Sequence, residues 1–263
     1  MVLSACSISD DQEKAMGADA ARQIDAELPL LQDPLVTRYV DSLGQAIASH
    51  ADERGLEWRF AVVDSRQVNA FALPGGFIYL NRGLIETASE MSELAGVLGH
   101  EIGHVTERHS VEQMQKQQKA GIGVSLVCML TDMCTSDVAR VAINVGGQLV
   151  FAKFSREHET EADSVAVRHV MRAGIDPRGI PRMFTRLQAE RGRRPAALEG
   201  WFGTHPLEES RVRATTELIG RIEGDLGRLR RDEPSFVAVK RRLAELPAPP
   251  APPAPREGGQ PFP

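Results

Sequence analysis

Apolar residues recur at helical spacing over residues 10–27 and again over 34–49, where Leu35, Val36, Val40, Leu43 and Ile47 line one face. Asp33-Pro34 is a helix-start signal for the second of these. The pattern then changes: 56–65, LEWRFAVVDS, has alternating character and reads as a strand. Residues 69–80 supply further strands, with Pro74-Gly75-Gly76 as the turn and β-forming Phe77 to Leu80 after it. Beyond that point helices dominate, over about 90–119, 137–173, 177–190, 207–231 and 234–245, with start signals at Asp176-Pro177 and Thr204-His205-Pro206. The expectation is an α+β fold: a mostly helical domain over 10–245 with a small β-sheet beside a cleft. Residues 246–263, LPAPPAPPAPREGGQPFP, carry nothing to build a core and read as a flexible, polyproline-like tail.

One predicted helix carries more ionisable groups than its apolar setting explains. GVLGHEIGHVTERHS, 96–110, places His100 and His104 four residues apart, on one helical face. Glu101 lies about 100° further round, beside a shared cation rather than on it. This is the HExxH pattern, two zinc-ligand histidines and a glutamate that takes a proton from the attacking water. Leu94, Val97, Leu98, Ile102 and Val105 mark the segment as buried, and buried imidazoles need partners. Gly99 and Gly103 each weaken a helix by up to about 1 kcal/mol relative to alanine. Close approach of another element or of a substrate is their expected compensation. His109 does not fit a third-ligand spacing and is expected on the outer face or near the end of this helix.

A catalytic zinc needs a third protein ligand, and FSREHETEADSVAVRHV, 154–170, offers one. Read as a helix, Glu159, Ala162, Asp163, Ala166 and Val170 share a stripe, while Glu157, Glu161 and Arg168 fall mostly elsewhere. Buried carboxylates need a cation or donors. The economical arrangement puts Glu159 on the metal and Asp163 on the ring N–H of a ligand histidine. The alternative is a solvated acidic face with i,i+4 ion pairs.

With HEIGH at 100–104 and ExEAD at 159–163, the chain resembles the gluzincin family that contains the CAAX prenyl protease and the bacterial HtpX protease. Within it the resemblance is strongest to a branch of bacterial envelope lipoproteins. It spans about residues 10–220, and VNAFALPGGFIYLNRGLI, 68–85, and THPLEESR, 204–211, carry it further. The resemblance implies a zincin-type metallopeptidase domain, one Zn2+ per chain on His100, His104 and Glu159, and Glu101 as the catalytic base. It implies His205 as a removable latch on the fourth metal position and Arg211 as a transition-state helper. Read without it, His205 is a loop residue before a helix and Arg211 a surface charge. The strand before the metal helix is expected to bind an extended peptide edge to edge. The implied substrates are unfolded or misfolded envelope polypeptides, with outer-membrane assembly machinery as a further partner. A chaperone-like binding module with a latent peptidase site is the alternative.

Composition narrows the setting. A formal charge of −5 and the absence of any broad basic field exclude nucleic acid as a partner class. No apolar run reaches the ~18 residues of a membrane span; AGIGVSLVCML, 120–130, comes nearest and reads as a buried or interfacial segment. Leu3-Ser4-Ala5-Cys6 resembles a bacterial lipobox within residues 1–9, but too few residues precede it for a signal peptide's apolar core. The expectation is a start inside the signal and a lipid anchor at Cys6, hence a periplasmic protein attached to the outer membrane. Cys128 and Cys134 are six apart; a disulfide between them requires a turn, since one continuous helix separates their Cα atoms by about 9 Å.

Overall fold

Ser9 opens α1 (Asp10–Glu27) with a capping box: its side chain accepts from the Gln12 N–H while the Gln12 side chain accepts from the Ser9 N–H. Asp33 caps α2 (Pro34–Ala48), accepting from Leu35 and Val36 with Pro34 in the first turn. The computed structural model describes residues 8–119, 154–206 and 209–250. The lipobox with Cys6, the apolar stretch 120–130, Cys128 and Cys134, residues 137–153 of one expected helix, and 251–263 of the tail lie outside the described residues.

β1 (Arg59–Val63), β2 (Ala70–Leu73) and β3 (Phe77–Asn81) form a sheet in the order β1-β3-β2, so the strand before the metal helix is central, with both edges paired, and has no free edge for the extended peptide expected there. β1 runs parallel to β3, and β2 and β3 are an antiparallel hairpin with Leu73 opposite Phe77. The turn needs its glycines: Gly75 and Gly76 have φ of 80° and 104°. Along β3, Ile78 and Leu80 enter the main core, while Tyr79 joins Ala20, Ala21 and Ile24 of α1 in a smaller cluster on the other face.

α3 (Arg82–Thr87) follows β3 directly, and the chain then enters α4 (Met91–Thr106), the central helix, buried from Met91 to Val105. Around it stand α6 (Arg156–Arg172) and α7 (Gly179–Arg193), its most extensive neighbours. Glycines 96, 99 and 103 on α4 allow this. A Cβ at Gly96 would come within 2.9 Å of Ile180, at Gly99 within 2.9 Å of Val170, and at Gly103 within 2.6 Å of Val165. The compensation expected for Gly99 and Gly103 is therefore close packing of α6. α8 (Pro195–Thr204), α9 (Glu209–Gly220), a 3-10 turn at Leu226–Arg228 and α10 (Pro234–Glu245) complete the described chain, a mostly helical α+β architecture.

Several boundaries differ from those expected. The helix expected over 90–119 is two: α4 ends at Thr106 and α5 (His109–Lys119) starts after a break. The helix expected over 207–231 stops at Gly220. α3 and α8 were not anticipated. Among the described residues, no helix is long and apolar enough to cross a membrane.

Candidate metal centre

α4 and α6 present their polar groups to one another across the glycine face of α4. From α4 come His100, Glu101 and His104, from α6 Glu159 and Asp163, and from the end of α8 and the start of α9 come His205 and Arg211. All are buried, none more than 7% exposed. Ligand atoms of His100, His104, Glu159 and His205 lie within 4.8 Å of one another. The Nε2 atoms of His100 and His104 face each other at 3.0 Å. Nδ1 of His205 is 3.3 Å from His100 Nε2 and 3.0 Å from Glu159 Oε1. Glu159 Oε1 is 3.3 Å from His104 Nε2.

These separations suit a small divalent cation. Four ligands at about 2.0–2.1 Å in a tetrahedron are about 3.3 Å apart along each edge. Two further observations fit a cation. Burial holds the His104 pKa well below its ordinary value, so the ring is neutral with a lone pair to give. Oε1 of Glu101 is buried without a hydrogen-bond partner, facing His205 Nε2 at 3.4 Å. Burial raises the Glu101 pKa, partly offset by the neighbouring His205 and His100. Burial also disfavours charge on Glu159, but the histidines, His205 foremost, outweigh it and its pKa stays well below the ordinary carboxylate value. For His205 burial opposes the charge and Glu159 and Glu101 outweigh it, so its pKa is raised.

The carboxylate of Asp163 joins two parts of the site. Its Oδ1 accepts from His100 Nδ1 at 2.9 Å, which leaves the His100 Nε2 lone pair facing the cluster. Arg211 grips the same carboxylate from the far side, through Nε at 2.8 Å and Nη2 at 2.7 Å. Its Nη1 donates to Glu159 and to the Pro206 carbonyl. Arg211 thus spans the two acids of α6, with its guanidinium stacked over Phe184, and is not a surface charge. Neither are Glu159 and Asp163 part of a solvated acidic face.

His109 lies just past the end of α4, as one of its two expected placements has it, and not on the helix's outer face. It is 1% exposed and its Nδ1 lies 2.9 Å from Nδ1 of His104. The outer-face expectation assumed a continuous helix, and the helix breaks before it. Phe154 stacks on the His104 ring at 3.9 Å between centroids, and Trp201 leans on His205 at 4.8 Å. Sequence reading missed these aromatic walls, whose only local signal is their placement just before motif residues.

The sequence model of peptidase family M48 matches residues 34–219. A β-barrel assembly-enhancing protease of Yersinia pestis is 35% identical over 212 residues, covering 78% of this chain and 43% of that protein. The mitochondrial metalloendopeptidase OMA1 of Schizosaccharomyces pombe is 29% identical over 217 residues, covering 81% and 62%. The metalloprotease LoiP of Escherichia coli K12 is 26% identical over 216 residues, covering 79% and 81%. The match thus takes in less than half the length of the assembly-enhancing proteases.

Proposed function

The chain belongs to peptidase family M48; we propose that it is a metalloprotease, a zinc-dependent endopeptidase acting on unfolded or misassembled polypeptides of the bacterial envelope. The observation that carries the reading is the buried group of His100, His104, Glu159 and His205, with a Glu101 carboxylate oxygen beside it that makes no hydrogen bond. His100, His104 and Glu159 would hold the zinc. Bound there, zinc supplies Lewis acidity, polarising a carbonyl and making water acidic near neutral pH. Glu101 takes a proton from the attacking water and passes it to the leaving amine; its buried carboxylate, with a raised pKa, suits that exchange. Asp163 holds the His100 ring, and Arg211 holds Asp163 and Glu159 in place. With these donors committed to carboxylates, Arg211 serves the metal ligands before it serves any oxyanion.

His205 occupies the position a fourth ligand would take, and the group is closed to solvent. This favours the latch role, in which His205 must swing out before substrate enters. The same observation supports a second reading, a chaperone-like binding module whose peptidase is held latent. The envelope setting and β-barrel assembly partners rest on the names of bacterial relatives, and a lipid anchor on the LSAC stretch ending at Cys6.

Cleavage of casein by zinc-loaded wild type and by Glu101→Gln tests the reading. Loss of turnover in Glu101→Gln with zinc affinity kept is expected, and equal cleavage by both would sink the role of Glu101. His205→Ala should raise turnover; a fall would sink the latch. No cleavage by wild type or His205→Ala would favour the binding module.

A further inference from the structure

We propose that His109 is the positioning residue for His104, accepting its Nδ1–H and so fixing which ring nitrogen is presented to the metal. The proposal rests on the metal reading above and deepens it.

A histidine that gives its Nε2 lone pair to a cation carries its proton on Nδ1, and a buried N–H needs an acceptor. For His100 that acceptor is the Asp163 carboxylate. At His104 the partner among the described residues is the Nδ1 of His109, 2.9 Å away. For this nitrogen to accept, the proton of His109 must sit on its Nε2, and that atom faces Glu161 Oε2 at 3.4 Å. The order His104 Nδ1–H, His109, Glu161 is thus a second tether from a ligand ring outwards. The His109 ring is clamped by stacking on His158, 4.4 Å between centroids and 15° from parallel. His158 is in turn held by Glu112 at 3.1 Å.

The backbone is bent to make this contact. On an unbroken helix His109 would lie five residues on from His104, about 140° round and facing away. Instead Arg108 has φ of 57°, the one positive φ outside glycine among the described residues. Such a conformation costs on the order of 1–3 kcal/mol and persists where its surroundings enforce it. Those surroundings come from α1 and the residue before its cap: the Arg108 guanidinium pairs with Glu13 at 2.8 Å and Asp10 at 3.1 Å and donates to the Ile8 carbonyl. Glu13 is buried and also pairs with Arg54, which donates to the Val105 carbonyl at the end of α4. Helix α1 therefore holds the turn that returns His109 to the metal ligand.

The test compares wild type, His109→Phe and His109→Asn, measuring zinc affinity by chelator competition, the Co2+ absorption spectrum, and the melting of the metal-free chain. Phenylalanine keeps the stacked ring and removes the acceptor; asparagine places an amide oxygen near the Nδ1 position. Zinc affinity about 10–100-fold weaker in His109→Phe, with an altered Co2+ spectrum, and recovery of most of that loss in His109→Asn is the expected result. Wild-type affinity in His109→Phe overturns the proposal, as does a His109→Asn no better than His109→Phe, since the residue would then act by shape alone. A wild type that takes up no zinc overturns the metal reading itself, so the two failures are distinct.

Discussion

Replacing Arg211 by methionine removes the cation between two buried carboxylates. Arg211 is 7% exposed, Glu159 1% and Asp163 4%. Three charge-assisted hydrogen bonds to carboxylates are lost, each worth about 1.5–3 kcal/mol in isolation. Their sum overstates the effect, because the partners regain some solvation and the bonds are not independent. The better guide is the cost of removing one member of a buried pair, about 3–5 kcal/mol. Two features favour the lower end: the methionine stem still packs on Phe184, and His205 stays beside Glu159. At about 2–4 °C per kcal/mol for a chain of this size, the metal-free protein should melt about 6–12 °C below wild type. Bound zinc would balance Glu159 but not Asp163, so saturating zinc should close only part of the gap. Arg211→Lys, a single point charge in place of a planar fork, should fall between the two. Scanning calorimetry of the three proteins with and without zinc measures this. If metal-free Arg211→Met melts with wild type while kcat falls, Arg211 serves the transition state and the clamp is wrong.

Other consequences follow from single contacts. His169 is buried with its Nδ1 unpartnered, and burial, with the charges of Arg168 and Arg172, lowers its pKa to about 4. The unfolded chain protonates it near pH 6.5. Its folding contribution is thus complete above 6.5 and lost as pH falls towards 4. Between pH 7 and 5 the unfolding free energy of wild type from urea titration should fall more than that of His169→Gln, by a difference of at most about 2 kcal/mol; parallel curves would show that His169 does not titrate this way. A Cβ at Gly179 would lie 2.1 Å from the Ser92 carbonyl oxygen, backbone that cannot yield cheaply. Gly179→Ala should destabilise by about 3 kcal/mol as α7 is forced off the first turn of α4, and an unchanged melting temperature would contradict that packing.

What local sequence could reveal, and what it could not, divides along the range of the forces involved. The pairing of Glu159 with Asp163 on one stripe follows from helical period alone, and the structure does put both on the buried side of α6. The same period made His100 and His104 neighbours. α8 lacked such a signature. Its sequence, PAALEGWFGT, has little amphipathic order, and it forms where Trp201 and Leu198 are buried in the main core. The break after Thr106 was hidden for a different reason. Residues 105–110 contain no glycine or proline, so nothing nearby announces an end to the helix. At the end Arg108 has a left-handed conformation and pairs with Asp10 and Glu13, nearly a hundred positions earlier, contacts that no local reading of 105–110 could include. Reading a helix through that point gives His109 an outer-face placement as one of its two options, and the structure takes the other, near the helix end. The turn that ends the helix brings the same residue to the metal-ligand ring, so the unforeseen break and the unforeseen contact of His109 have one cause. Arg108→Gly separates the strain from the anchor: glycine accepts the positive φ without cost but drops the pairs to α1. With the anchor to α1 holding the turn, Arg108→Gly should weaken zinc binding despite relieving the strain; a zinc affinity equal to that of wild type would show that the positive φ alone suffices and refute the anchor.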